Sequence, residues 1–302
     1  MKKRTERVKR YGWPIIITML ISIGIVSCEK NITVEIPQQE EAIVVEGYIE
    51  TGEFPYVILS KTLPFFGQIN TSDVFQNLIS VATVFIDNGT QIDTLSSFSG
   101  FYFSTQMRGE VGKTYKLTIL ANGKTLTAQT TIPNPVKLDS VWWKVNGTRD
   151  SLGFAWAHLS DPDTTGNTYR WLARRINRYT YGPNTGEVKD SIFTAPIGGS
   201  VFEDKFINGR SFDFNFPRGS LNFSDKADDN NDERFYYKYG DTIVIKFSAI
   251  DRSHFQFWRS EETQVGNNGN PFGSPAPVTG NINGGLGIWG GYSTTFDTII
   301  AR

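Results

Sequence analysis

The chain is poor in the side chains that most enzymes use, and cysteine is the scarcest of them. Cys28 stands alone among 302 residues, so a disulfide within the chain and a zinc site built on several thiolates are both excluded. Histidine is limited to His158 and His254, and no Gly-x-Ser-x-Gly motif accompanies them. We predict a structural role for both: His158 at a strand end and His254 in the first turn of a helix.

Long apolar runs are also lacking. The longest runs from about Trp13 to Val26, contains Pro14 and is too short to cross a membrane comfortably. It follows a basic start, formed by Lys2, Lys3, Arg4, Arg7, Lys9 and Arg10. This combination predicts a signal peptide over residues 1–27; a single-pass anchor with a buried free cysteine is the alternative.

The only cysteine directly follows this apolar run. Ile25-Val26-Ser27-Cys28 resembles the bacterial lipobox, in which the cysteine sulfur is diacylated and the residue becomes the new N-terminus. Two or three acyl chains on Cys28 would hold the protein at a membrane, because a single chain binds only marginally. We therefore predict lipidation of Cys28 and a spacer over residues 28–41.

An excess of basic residues is missing too. Removal of residues 1–27 leaves 24 basic and 30 acidic side chains, a net charge of about −6. Because nucleic acid is bound through a basic surface, we do not expect it as a partner.

Short strands separated by turn residues predict an all-β fold of two antiparallel β-sandwich domains. Asp87-Asn88-Gly89 and Asn122-Gly123 are typical hairpin turns. The predicted domains are 42–132 and 138–302, with a proline-containing linker at 133–137. The second domain is expected to contain one short helix, from Asp251 or Ser253 to about Gln264, an irregular segment over 271–291 and a last strand from Tyr292 to Ile300.

Several patterns suggest binding, each with an ordinary structural alternative. The acidic stretch 225–233 offers calcium ligands, Asp228, Asp229, Asn231 and Asp232, but has neither the spacing nor the glycine of an EF-hand. Aromatic residues near glycine-rich loops suggest stacking on sugars, with Tyr179, Tyr181, Trp289 and Tyr292 as candidates. Short Asp-Ser/Thr-aliphatic motifs suggest O-glycosylation at Thr94, Ser140, Ser191, Thr242 and Thr298.

Two further patterns concern cofactor binding and catalysis. Gly285-Leu286-Gly287-Ile288-Trp289-Gly290 has the spacing of a dinucleotide fingerprint, but no helix pattern follows, so close backbone approach explains the glycines better. Paired carboxylates of a glycosidase are available in principle, at Glu203, Asp204, Glu261 and Glu262. We expect no cofactor other than the calcium considered above.

Five stretches form a recognisable combination: Val44–Ile49, Gly112–Leu117, Leu138–Val141, Asn270–Phe272 and Asn281–Gly290. Together they resemble the Bacteroidota outer-membrane lipoproteins grouped as domain-of-unknown-function family 4249. The resemblance implies an immunoglobulin-like or transthyretin-like first domain, an outer-membrane lipid anchor on either membrane face, and a setting beside TonB-dependent nutrient transporters. It implies no activity.

These patterns lead to an expected function without catalysis. We expect an accessory or ligand-contacting lipoprotein, associated with a TonB-dependent transporter, rather than an enzyme. A surface glycan- or peptide-binding lipoprotein is the alternative, and a carboxylate-based hydrolase is a more distant one.

Overall fold

The computed structural model describes residues 41–63, 75–147, 151–176, 190, 192–219, 235–267 and 277–302. These residues form strands, a short 3-10 helix (Asp204–Phe206) and an α-helix, α1 (Arg252–Asn267), which confirms the predicted all-β class. The strands are β1 (Ile43–Glu50), β2 (Tyr56–Lys61), β3 (Thr83–Asp87), β4 (Ile92–Thr94), β5 (Ser96–Phe98), β6 (Phe101–Phe103), β7 (Thr114–Ala121), β8 (Lys124–Thr131), β9 (Ser140–Val145), β10 (Leu152–Ser160), β11 (Thr168–Arg175), β12 (Val201–Glu203), β13 (Ser211–Phe216), β14 (Tyr237–Lys238), β15 (Thr242–Ile250) and β16 (Leu286–Ile300).

An eight-stranded sheet forms the centre of the fold, in the order β12-β11-β15-β16-β1-β2-β6-β5. Its neighbouring strands are antiparallel except for β1 and β16, which are parallel, with Gly47 opposite Trp289. The predicted antiparallel sheets are therefore confirmed, with β1 and β16 as a parallel pair within the large sheet. A parallel pairing needs a long connection, and here almost the whole chain separates the two strands.

Two four-stranded sheets pack against one face of the large sheet, and each encloses a core. The sheet β4-β3-β7-β8 packs over the half containing β1 and β2, around residues such as Leu59, Ile119 and Trp289. The sheet of β9, β10, β13 and β14 packs over the half containing β11 and β15, around Trp171 and Phe247. Alternating apolar positions of the strands supply both cores, as a sandwich requires.

The two cores follow the two segments predicted as domains, 42–132 and 138–302, while the large sheet joins them. The first core takes Ile282 and Trp289 from the second segment, and β16 pairs with both β1 and β15. Residues 41–302 accordingly form one compact unit. Whether the halves fold separately stays a prediction.

The hairpins are confirmed where turn chemistry predicted them. Asn122 and Gly123 connect β7 to β8 with φ angles of 51° and 73°, the left-handed values that a tight primed turn requires. Asn88 and Gly89 connect β3 to β4, and the Asn88 side chain accepts hydrogen bonds from the backbone of Thr90 and Gln91.

The prediction for the glycine-rich closing segment is partly wrong. Strand β16 begins at Leu286, so residues 286–291 are strand rather than irregular structure. The glycines serve close packing: a Cβ atom on Gly287 would lie 1.9 Å from the Val45 carbonyl oxygen, and one on Gly290 would lie 2.3 Å from the His254 ring. This confirms close backbone approach as the reason for the glycines.

Helix α1 lies on the opposite face of the large sheet, over β11, β12 and β16. Asp251 precedes it, as predicted, and its Oδ1 accepts a hydrogen bond from the His254 amide at 2.9 Å. The Asp251 Oδ2 also accepts a hydrogen bond from the Thr130 hydroxyl of β8, and burial raises the pKa of Asp251. This residue thus ties the helix to the first half of the fold.

Candidate functional site

Four aromatic side chains lie together at the β5 end of the large sheet, on the face that α1 shares. Directly opposed residues on paired strands share a face. Tyr56 lies opposite Phe103, and Phe101 lies opposite Phe98. We call these four residues, Tyr56, Phe98, Phe101 and Phe103, the aromatic face.

These rings are exposed to solvent, whereas the opposite face of β2 and β6 is covered by the sheet β4-β3-β7-β8 and forms part of the first core. The exposed fractions are 75% for Phe98, 43% for Tyr56, 40% for Phe101 and 39% for Phe103. Between the last two, Tyr102 points inward, is fully buried and donates a hydrogen bond to the Ile79 carbonyl at 2.8 Å. A contiguous exposed aromatic surface of this kind usually marks a binding site.

The aromatic face continues into a buried aromatic cluster beneath α1. Tyr48, directly opposite Tyr56 in the sheet, contacts the Tyr56 ring edge to face at 5.4 Å. The Tyr48 ring also stacks on His254 at 5.7 Å, and Tyr292 contacts His254 edge to face at 4.3 Å. Ring contacts therefore run from Tyr56 of the aromatic face to the helix.

His254 is the unusual member of this cluster. Its side chain is fully buried, and neither ring nitrogen makes a hydrogen bond within the described part of the chain. Burial, followed by the charge of Arg170, lowers the pKa of His254 well below its ordinary value. The imidazole is therefore neutral and acts as a packing group.

Arg170 places a buried positive charge beside these rings. Its guanidinium lies 3.5 Å above the centre of the Trp258 ring and donates a hydrogen bond to the Tyr292 hydroxyl at 2.8 Å. Burial raises the pKa of Tyr292 to about 12, against the lowering effect of Arg170. Arg170 thus joins β11, β16 and α1 through two rings, Tyr292 and Trp258.

Two of the predicted sugar-stacking residues lie inside the protein, so their proposed exposure is wrong. Trp289 is fully buried in the first core and its indole Nε1 donates to the Tyr115 carbonyl at 3.0 Å. Tyr292 lies under α1. Both belong to β16, where the strand alternation directs one ring into each layer. The expected irregular segment over 271–291 carries no such alternation and therefore did not predict the burial of Trp289.

Other predicted sites lie outside the described residues. These are Cys28, Tyr179, Tyr181, Ser191 and the calcium candidates Asp228, Asp229, Asn231 and Asp232. Within the described ranges, no group of three or more carboxylate, histidine or cysteine side chains is arranged to hold a metal ion.

The O-glycosylation candidates in the described regions lie on strands. Thr94, Ser140 and Thr298 are exposed and Thr242 is half-buried. In two of these motifs the aspartate is buried: Asp93 accepts a hydrogen bond from the Ser104 hydroxyl, and Asp241 lies at the start of β15. Strand entry accounts for Asp241, which directly precedes β15, while Asp93 lies inside β4 and is held by Ser104. Modification of the hydroxyls stays a prediction.

The carboxylates considered for hydrolysis are held by neighbouring groups or shifted by burial. Glu203 accepts a hydrogen bond from Arg252, which lowers the Glu203 pKa, and Asp204 accepts the Gly166 and Asn167 amides at 2.8 Å each. Glu262 accepts the Ser200 amide at 2.7 Å. Burial raises the pKa of Glu261.

The aromatic face was not predicted, although its signal is present in the sequence. In Phe101-Tyr102-Phe103 every position is aromatic, so a strand must direct either one or two of the rings outward. The sequence does not reveal which face of β6 the neighbouring sheet covers. The covered face decides whether Tyr102 or its two neighbours are exposed.

The class that fold and surface define is an all-β protein of stacked sheets, with an exposed aromatic face beside a buried aromatic cluster. A family model described as "Domain of unknown function (DUF4249)" matches residues 29–297, and the chain belongs to that family. No curated protein matches the chain. Among the described residues no helix is long and apolar enough to cross a membrane.

Proposed function

We propose that the protein is a non-catalytic, lipid-anchored accessory subunit of the outer membrane that contacts a TonB-dependent nutrient transporter. The aromatic face carries this proposal, since it offers a large exposed apolar contact surface on a rigid sheet. The lipobox-like segment ending at Cys28 supports the anchor, and the resemblance to Bacteroidota lipoproteins supports the membrane and the transporter.

The composition of the surface favours a protein partner. Aromatic residues and arginine are enriched at the centre of protein interfaces, where a few of them supply most of the binding energy. The Arg108 guanidinium lies 3.9 Å above the ring of Phe54, which precedes Tyr56 by two residues. Phe54 is itself partly exposed, so a further exposed ring lies just before β2.

The rigidity of the surface supports the same interpretation. Tyr56 is held by Tyr48, which packs on the buried cluster, and Phe101 and Phe103 flank the fully buried Tyr102. Rings fixed before binding lose little conformational entropy when a partner covers them, which favours affinity.

Co-purification from native membranes tests the proposal. The wild-type protein, extracted in mild detergent, is expected to bring a transporter with it. The double variant Phe101→Ser/Phe103→Ser should reduce recovery of that transporter by roughly tenfold or more, because two outward rings are lost.

The matched control is Phe206→Ser, which removes a phenylalanine that is 79% exposed but lies outside the aromatic face. Phe206→Ser should leave recovery of the transporter unchanged. Equal melting temperatures of Phe206→Ser and the double variant would show that both are equally folded. A transporter recovered equally with all three proteins, or with none, contradicts the proposal.

A further inference from the structure

The outward side of the sheet formed by β9, β10, β13 and β14 carries aromatic residues that its core does not need. Its inward residues, among them Ala155, Ala157 and Leu159, fill the second core. The alternate positions face outward, and on a two-layer sandwich these are ordinarily polar. Here they include Trp142, Phe154 and Trp156.

The register brings these rings into one strip. Trp142 and Trp156 are direct cross-strand partners, and their rings stack at 6.1 Å with an interplanar angle of 19°. Phe154 stands two residues before Trp156 on β10, about 7 Å away along a strand. Its ring contacts Tyr236 at 5.0 Å, so four aromatic rings form the strip.

Polar groups flank the strip on both sides. On β13, Asn215 lies opposite Trp156, and Asp213 shares a hydrogen bond with His158 Nδ1 at 2.6 Å. On β9, the Lys144 ammonium lies 5.4 Å from the centre of the Trp156 ring. Ser140 follows the same edge, opposite His158, and is exposed.

We propose that this strip, Trp142, Phe154, Trp156 and Tyr236 with the flanking Lys144 and Asn215, binds an uncharged oligosaccharide chain. The C–H face of a sugar ring packs on indole and phenyl groups, while its hydroxyls need donors and acceptors at the edges of that contact. The strip supplies both, from β9, β10 and β13 and from Tyr236, which directly precedes β14.

Its dimensions favour a sugar chain over a protein partner. The strip with its flanking polar groups spans three strands, β9, β10 and β13. Because strands lie about 4.8 Å apart, its apolar surface is narrow. A stable protein interface covers about 800 Å² on each partner around a desolvated apolar centre. Charged and hydrogen-bonding groups interrupt the strip on both sides, which suits hydroxyls better than an apolar protein surface.

This site is separate from the aromatic face, and the inference does not depend on a transporter. It also differs from the predicted sugar-stacking residues, since Trp289 and Tyr292 are buried. Because the two surfaces lie on different sheets, we expect substitutions in one to leave the other unchanged.

Native gel retardation tests the site, with the mature protein in non-ionic detergent and one soluble polysaccharide in each gel. The panel is laminarin, xylan, galactomannan, pullulan and dextran. At least one of these uncharged polymers is expected to retard the wild-type protein. Trp142→Thr and Trp156→Thr, which keep a strand-forming residue, should each weaken that binding roughly tenfold, and Trp156→Tyr should retain most of it.

The control is Phe98→Ala, which removes the most exposed ring of the aromatic face and should leave retardation unchanged. Melting temperatures establish whether the threonine variants are folded. If either is unfolded, Asn215→Ala replaces it and is also expected to weaken polysaccharide binding. Retardation by no member of the panel, or retardation that survives loss of both tryptophans, overturns the inference. The inference is also overturned if the wild-type protein binds a protein partner, and no polysaccharide, and Trp156→Thr abolishes that binding.

Discussion

His254 is a polar residue that is packed like an apolar one, fully buried and without a hydrogen bond to its ring nitrogens among the described residues. It lies between Tyr48, Tyr292 and the backbone of Gly290, with Arg170 as the nearby charge. Its place in the first turn of a helix, with a structural role, was predictable from the sequence. Its complete burial was not, because the partners come from β1, β11 and β16, which are distant in sequence.

The pH dependence of stability follows from this burial. Because the folded protein lowers the pKa of His254, the unfolded chain, with an ordinary value of about 6.5, binds a proton that the folded chain does not. The free energy of unfolding therefore falls as the pH drops below about 6.5, by up to about 1.4 kcal/mol for each unit until the folded value is reached. At higher pH His254 is neutral in both the folded and the unfolded chain, so it no longer makes the free energy of unfolding depend on pH.

His254→Leu, apolar and of similar volume, should remove that part of the pH dependence. Urea midpoints measured at pH 7.5 and pH 5.5 are expected to differ less in the variant than in the wild type, by the equivalent of about 1 kcal/mol. His158→Gln, on the outer side of β10, serves as the control for the other histidine. Equal pH dependence in wild type and His254→Leu would contradict the burial of a neutral imidazole.

Strand β16 is the element on which both halves of the fold depend. It pairs with β1 on one side and β15 on the other, places Trp289 in the first core, and presents Tyr292 to the helix. Hairpins such as β7–β8 were predictable because their turn chemistry is local. The first third of β16 was not, since its glycines are rare in ordinary strands and are explained only by the backbone that approaches them.

Gly287→Ala tests this account of β16. The residue has a φ angle of 106°, and its new Cβ would lie 1.9 Å from the Val45 carbonyl oxygen, so the β1–β16 pair would have to separate locally. We expect a loss of about 3 kcal/mol or more in the free energy of unfolding, measured by urea denaturation.

Gly89→Ala is the matched comparison for this substitution. Gly89 also has a positive φ angle, 85°, but a Cβ atom added to it would have no other atom within 4 Å. Only the backbone conformation is then penalised, at about 1 to 2 kcal/mol. Similar losses for the two variants would show that close approach to β1 does not matter.

At the scale of the whole molecule, one large sheet supports two cores on one side and a helix on the other. The all-β class and the two apolar segments were predictable because strand alternation and turn residues are local properties. That both segments share a sheet was not, because pairing between β1 and β16 leaves no local pattern. The outward aromatic surfaces were missed for a different reason, since the sequence does not show which face of each strand another sheet covers.

The fold presents two outward aromatic surfaces, the exposed aromatic face and the half-buried tryptophan strip. The two surfaces lie on different sheets, so the proposed membrane partner and the proposed oligosaccharide would not compete for one site. The lipid anchor predicted at Cys28 would hold both surfaces near the membrane.

The most direct test of the lipid anchor and the accessory role is the intact mass of the protein extracted from the membranes of its native host. We predict a chain that begins at Cys28 and carries two or three acyl chains on that residue. A chain that still begins at Met1, or a mature chain whose Cys28 thiol is unmodified, would contradict the lipid anchor and with it the proposed accessory role.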